Sequence, residues 1–297
     1  MTELNTDILE IHYEDGGAVS DPAILLLHGW PDDVRGWREV APRLRAMGYR
    51  TITPYLRGFG PTRFLSPDTI RDGRGVALAQ DALDLMDGLG VQRFAIVGHD
   101  WGARAAYSLA ALFPHRVTHV VGAALAFQPG AAFRTSTFSQ ARSFWYQWFM
   151  SVDAGAAAVK ADPRGFARLQ WETWSPRGWF DTAEFEETAR SFDNPDWVAV
   201  TLSGYRSRWT RQQVDPRYEA LQQRLTGVYR LATPTLMIQG GADFCDEPAG
   251  SEGMEDCFTA GYQRLLLDGI GHFPPREAPG EVAEAVHAFI KGCDART

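Results

Sequence analysis

Residues 94–103 read Phe94-Ala95-Ile96-Val97-Gly98-His99-Asp100-Trp101-Gly102-Ala103. Four apolar residues of strand type run straight into Gly-x-Asp-x-Gly. Ala103-Arg104-Ala105-Ala106-Tyr107-Ser108-Leu109-Ala110 follows as a small-residue helix. A strand, a tight turn and a helix in immediate succession display the central residue of the turn, provided that the positions two before and two after lack bulk. Gly98 and Gly102 meet that demand, and Ala103, Ala105 and Ala106 let the helix approach the sheet. The displayed residue is Asp100. A carboxylate, unlike a serine hydroxyl, is ionised near neutral pH without a base. It suits displacement at a saturated carbon, which gives an alkyl-enzyme ester. A lone Gly-x-Asp-x-Gly turn is weak evidence of chemistry, so its surroundings have to carry the argument.

On both sides of this turn, strand and helix alternate. Ile8–Tyr13 reads as an early strand, and Ile24-Leu25-Leu26-Leu27 as a strand buried on both faces that ends in His28-Gly29-Trp30-Pro31. Trp37, Val40, Leu44 and Met47 fall at helical spacing before Gly48, Tyr49–Pro54 is a strand, and Val76–Leu89 is a helix. Val117–Ala124 is the strand after the turn. This alternation predicts an α/β fold, a mostly parallel sheet with helices on both faces. It stops from about Gln128 to about Leu225, where helix signal and aromatic residues replace strands. Asp181 with Glu184 has capping-box spacing, and Asn194-Pro195 reads as an N-cap followed by proline at the first helical position. The expected domains are therefore a core of residues 1–127 and 226–297 and a helical cap of residues 128–225. Most of the cap aromatics are expected to be its own core. The α/β pattern resumes with a strand at Pro234–Gln239 ending in Gly240-Gly241-Ala242-Asp243. A second, Gln263–Leu267, ends in Asp268-Gly269-Ile270-Gly271-His272, and a final helix carries Val282, Val286, Phe289 and Ile290 on one face.

Composition bounds the function. A content of 45% hydrophobic and 22% charged residues is that of an ordinary globular chain, and a net charge of −8 argues against a broad nucleic-acid or anionic-membrane surface. No apolar run approaches the ~20 residues of a membrane span. The Met1-Thr2-Glu3-Leu4-Asn5 start lacks the basic and apolar regions of a signal peptide. Three cysteines, Cys245, Cys257 and Cys293, are too few and odd in number for a disulfide framework, which points to a reducing, cytoplasmic compartment. No His/Cys/Asp cluster has metal-ligand spacing, and no Gly-x-Gly-x-x-Gly follows a strand, so neither metal nor cofactor is expected. A homo-oligomer is compatible with the sequence.

Asp100, Asp243 and His272 thus stand at the carboxyl ends of separate strands, where open α/β sheets bind ligands. The chain order nucleophile, acid, histidine is that of the α/β-hydrolases. From His28-Gly29-Trp30-Pro31 to Gly271-His272-Phe273 the sequence resembles that superfamily, in its aspartate-nucleophile branch. Asp243 follows its strand most directly and is preferred over Asp246 and Glu247 as the acid that orients His272. Leu125-Ala126-Phe127 offers no acid after the preceding strand. The resemblance makes His28 a structural member of its turn, and His99 is expected to pack beside the nucleophile.

The aspartate branch comprises epoxide hydrolases and dehalogenases. The resemblance implies that water activated by His272 hydrolyses an ester on Asp100, with the N–H groups of Trp30 and Trp101 as the oxyanion hole and a cis Trp30–Pro31 bond. Trp145-Tyr146-Gln147 and Gly204-Tyr205-Arg206 resemble the cap segments whose tyrosines serve the epoxide oxygen in epoxide hydrolases. The leading expectation is therefore a cofactor-independent epoxide hydrolase acting on a small apolar epoxide. Haloalkane or haloacid dehalogenation is the alternative. Haloacid dehalogenases place arginine where this chain has Trp101, although Arg104 matches a second such position, and the Asn that many haloalkane dehalogenases carry after His-Gly is missing. A silent member of the fold that binds a small apolar ligand is less consistent with a full acid–histidine set.

Overall fold

The computed structural model describes residues 2–131 and 137–295. The strands are β1 (Thr2–Asn5), β2 (Leu9–Gly16), β3 (Ala23–Leu27), β4 (Arg50–Pro54), β5 (Arg63–Phe64), β6 (Phe94–His99), β7 (Val117–Ala123), β8 (Thr235–Gly240) and β9 (Tyr262–Leu267). The core helices are α1 (Val40–Ala46), α2 (Gly75–Gly88) and α3 (Trp101–Leu112) before the insert, and α11 (Pro274–Glu277) and α12 (Pro279–Asp294) after it. Between them lie α4 (Phe138–Ser143), α5 (Trp145–Ser151), α6 (Asp153–Ala161), α7 (Pro163–Trp174), α8 (Thr182–Ala189) and α9 (Trp197–Arg206), followed by α10 (Glu219–Thr226).

The sheet runs β1-β2-β4-β3-β6-β7-β8-β9, with β5 paired to β2. From β4 to β9 every pairing is parallel, whereas β1, β2 and β5 join antiparallel. The alternation of side chains along buried strands builds two cores. Leu25, Leu27, Phe94 and Ile96 face the layer of α2 and α3, and Ile24, Leu26, Ala95 and Val97 face α1 and α12. The chain leaves β3 toward β4 on one side and later returns to β6 on the other. The crevice between the ends of β3 and β6 is thus a topological switch point, where α/β sheets bind ligands.

No strand lies among the described residues from 128 to 225; α4–α9 form a helical insert. Asp181 accepts the Glu184 N–H at 2.7 Å, as its spacing predicts. Asn194 also accepts a local N–H, from Asp196, but α9 begins only at Trp197, two residues later than the expected start at Pro195. The single helix expected around Trp37–Met47 is two pieces, a 3₁₀ turn at Val34–Trp37 capped by Asp33 and then α1. α10 lies against the core, where Arg224 donates to the Leu112 carbonyl at the end of α3.

Candidate active site

The turn after β6 holds Asp100 at φ 49° and ψ −110°, a conformation that costs a non-glycine residue of order 1–3 kcal/mol and persists only where its surroundings enforce it. The surroundings are backbone. A Cβ on Gly98 would lie 2.2 Å from the Gly102 carbonyl oxygen, and one on Gly102 would lie 2.1 Å from that of Leu27. The Asp100 N–H donates to the Ala123 carbonyl at 3.0 Å, which ties the turn to β7.

Asp100 is buried, and its two oxygens have different neighbours. Oδ1 accepts the Trp30 N–H at 2.8 Å, and the Trp30–Pro31 bond is cis. Oδ2 lies 3.8 Å from Nε2 of His272, an ion-pair distance longer than a hydrogen bond, and that nitrogen is buried without a hydrogen-bond partner. On the far side of the ring, Nδ1 is 2.9 Å from Oδ2 of Asp243. Oδ1 of Asp243 accepts the N–H groups of Cys245 and Asp246 at 2.8 and 2.9 Å, so this carboxylate is fixed by its own loop. Asp243, rather than Asp246 or Glu247, is therefore the acid on His272. Burial works against charge on His272, but Asp243 and Asp100 outweigh it and hold its pKa well above the ordinary histidine range. Burial likewise opposes charge on Asp100, but His272 overcomes it, and the carboxyl titrates below its usual value.

The other two candidate histidines are structural in geometry. His28 accepts the Leu56 N–H through Nε2 at 3.1 Å and donates from Nδ1 to the Gly29 carbonyl at 2.9 Å. His99 donates from Nε2 to the carbonyl of His272 at 2.7 Å. Burial pushes both down to about 4, so both rings are neutral. Neighbours that sequence reasoning did not single out also hold His272. Its N–H donates to Ser175 Oγ at 2.8 Å, and Ser175 donates to Glu277 at 2.7 Å. The Trp174 ring meets the imidazole edge to face at 4.8 Å.

Tyr146 on α5 and Tyr205 on α9 converge from the insert. Their rings meet edge to face at 5.3 Å, and each also contacts the ring of Trp30, at 5.9 and 5.0 Å. Tyr146 accepts a bond from Gln147 at 3.0 Å and lies 3.5 Å from the Cys245 sulfur. The Tyr205 hydroxyl is buried with no hydrogen-bond partner; the Trp101 indole N–H neighbours it without hydrogen-bond geometry. Burial, with the charge of Asp100 adding, raises both phenols well above their usual pKa, so they stay protonated.

Metal-ligand spacing is absent from the sequence, yet the fold brings Cys245, Asp246 and His272 together, with one donor atom from each within 4.8 Å of the others. These side chains already serve the buried network, His272 through Asp243 and Cys245 through Tyr146. A second group, Glu3, Glu10 and His12, lies near the surface. Behind Trp101, between the starts of α2 and α3 and the end of α9, is a cavity of about 510 Å³. Trp101, Arg104 and Arg208 line it, and Asp100 does not.

This chain belongs to the α/β-hydrolase fold family, whose model matches residues 22–279. Within that family it is epoxide hydrolase-like. It is 26% identical to epoxide hydrolase A of Mycobacterium tuberculosis over 99% of this chain and 98% of that one. A crystal structure of a Klebsiella pneumoniae protein, provisionally described as an epoxide hydrolase, superposes with a TM-score of 0.91 at 36% identity, covering 98% and 97% of the two chains. Fluoroacetate dehalogenase of a Burkholderia species is 32% identical over 64% of each chain. No helix among the described residues is long and apolar enough to cross a membrane.

Proposed function

We propose that the protein opens a small epoxide to a vicinal diol through an ester on Asp100. The observation that carries this reading is the pair of buried phenols, Tyr146 and Tyr205, meeting each other and the ring of Trp30, whose own N–H is bound to Asp100. Oδ1 of Asp100 is occupied by the Trp30 N–H, which leaves Oδ2 to attack the epoxide carbon. The ring C–O bond breaks as a tyrosine hydroxyl protonates the departing oxygen. Water then adds to the ester carbonyl of Asp100, and Nε2 of His272, oriented by Asp243, takes its proton. The tetrahedral oxyanion forms on Oδ1, where the N–H groups of Trp30 and Trp101 receive it. Collapse breaks the ester C–O bond, the departing diol oxygen takes the proton of the new acid group, and the proton on His272 returns to the tyrosinate, which restores the carboxylate and the phenol. No metal or cofactor takes part in this scheme. Residues 128–225 act as the cap over residues 1–127 and 226–297, and the closed surroundings of Asp100 support that division.

Tyr146→Phe/Tyr205→Phe tests the reading. Diol formation from an aryl epoxide, and halide release from a bromoalkane and a haloacetate, are measured in wild type and variant. The wild type is expected to form diol. Loss of one phenol should slow alkylation by about 10²-fold, and loss of both should leave almost nothing. Halide release without diol formation in the wild type rejects the reading. Dehalogenation is a second reading, favoured by the Burkholderia relative and by the buried indole N–H of Trp101, a donor suited to a halide. Halide departure needs no proton, so that activity should survive the double variant.

A further inference from the structure

We propose that Cys245 and Asp246 form a proton relay that reprotonates Tyr146 after it has served the epoxide oxygen. The relay rests on the epoxide reading for its use, but its hydrogen bonds are open to observation without turnover. Gln147 donates to the Tyr146 hydroxyl at 3.0 Å, which leaves the phenol's own hydrogen for another acceptor. The sulfur of Cys245 lies 3.5 Å from the same hydroxyl, and its S–H donates to Oδ2 of Asp246 at 3.9 Å. A carboxylate oxygen of Asp246 is in turn within 4.8 Å of a ring nitrogen of His272, a span that one water molecule bridges. The path thus joins the base that takes a proton to the phenol that has lost one. The Tyr205 hydroxyl, buried without a hydrogen-bond partner, has no such path among the described residues.

Alkylation leaves a tyrosinate in a buried site, and hydrolysis leaves an imidazolium on His272. Asp246 is suited to stand between the two. Burial and the charge of Asp243 push its carboxyl up to about 7, with Asp100 adding and with His272 and Arg104 on α3 opposing. Cys245 beside it and Tyr146 on α5 also face it. A carboxyl that titrates near neutrality both accepts and gives up a proton readily. Burial raises the Cys245 thiol well above its usual range, so no thiolate accumulates and the transfers are concerted. The tyrosinate oxygen takes the S–H proton, Sγ takes the proton of Asp246, and Asp246 takes that of His272. Thiol and carboxyl end as they began, and one proton has passed from His272 to Tyr146. Neither Cys245 nor Asp246 is a catalytic residue; both act through Tyr146.

The test has a kinetic and a spectroscopic arm. Resting Tyr146 is protonated, so the first alkylation needs no relay, whereas every later turnover does. With an aryl epoxide, Cys245→Ala should keep first-turnover alkylation, followed by tryptophan fluorescence with enzyme in excess, within about threefold of wild type. Its kcat should fall by about 10²-fold, the scale of a positioned proton transfer. Cys245→Ser should recover most of that loss, because a hydroxyl passes a proton and a methyl group does not. An unchanged kcat in Cys245→Ala overturns the relay. So does a first alkylation slowed as much as kcat, or a serine variant no better than alanine, since either makes Cys245 a packing residue. In the second arm, Cys257→Ser/Cys293→Ser leaves one thiol, whose infrared S–H stretch is recorded against pH. The band should shift with a midpoint near 7 as Asp246 ionises, and the shift should vanish in Asp246→Asn. A band that does not move overturns the relay whether or not diol forms. A titrating band with no diol from the wild type upholds the hydrogen-bonded path and overturns the epoxide reading.

Discussion

Burial alone lowers a histidine pKa, and His28 and His99, both pushed to about 4, show how far it goes in this molecule. His272 is as deeply buried and moves the other way because two carboxylates face it. One of them is the proposed nucleophile. In the proposed scheme, alkylation of Asp100 removes its charge and with it part of what raises the His272 pKa, so the ring is expected to become a competent base only when there is an ester to hydrolyse. His272→Gln should therefore stop turnover at the ester, and mass spectrometry of that variant with substrate should find the added mass on the Asp100 peptide. An unmodified Asp100 peptide after substrate exposure sinks the covalent scheme. The same ion pair has a pH signature. The raised pKa of His272 gives stability that is fully present below its unfolded value, about 6.5, and is lost as pH rises through the folded value. The lowered pKa of Asp100 gives stability present above about 3.9 and lost as pH falls through the folded value. The Tm difference between wild type and His272→Gln should be largest between those limits and shrink toward alkaline pH. A difference that grows above neutrality contradicts the pairing.

At the scale of elements, the β6–turn–α3 unit works because two glycines admit backbone where a methyl group cannot go. Gly98→Ala sets a Cβ against the Gly102 carbonyl, with no flexible side chain to yield, so it should cost about 3 kcal/mol or more in urea unfolding. A loss under about 1 kcal/mol means that the turn can relax. Such local steric demands are what a sequence displays, which is why Asp100, Asp243 and His272 were legible as candidates: each follows a strand of the parallel sheet within a few residues. Asp181 was legible too, since a cap and its recipient lie three residues apart. β1 and β5 were not. Thr2–Asn5 is a largely exposed edge strand without an apolar face, and Arg63–Phe64 is two residues long. The Ser175–Glu277 support of His272 and the Tyr146–Cys245 contact span 102 and 99 residues of sequence, and no local pattern encodes such meetings.

Across the whole molecule, the loop that carries the Trp30 N–H is clamped to both layers. Arg276 on α11 pairs with Asp32 at 2.5 Å and with Glu184 on α8 at 2.7 Å, and it donates to Thr188 at 3.0 Å. Trp171 on α7 donates to the Pro31 carbonyl at 2.7 Å, and Ser191 to Asp33 at 2.5 Å. Arg276 and Asp32 are almost fully buried, so removing one strands the other. Arg276→Gln should cost about 3–5 kcal/mol in chemical denaturation. It should also slow alkylation, because the donor to Asp100 sits two residues from Asp32. Unchanged stability would show that solvent reaches the pair.

Cys245 lies under the insert with no solvent exposure, its sulfur against Tyr146, and burial raises its thiol well above the usual range. Cys257 and Cys293 are partly exposed. The chain thus holds a built-in clock for its own opening. A thiol reagent in excess should label two cysteines promptly and the third at a rate independent of reagent concentration, set by how often the helical layer lifts from the sheet. If that rate matches or exceeds turnover, breathing of the two layers is fast enough to admit substrate and discharge product, with no other door required.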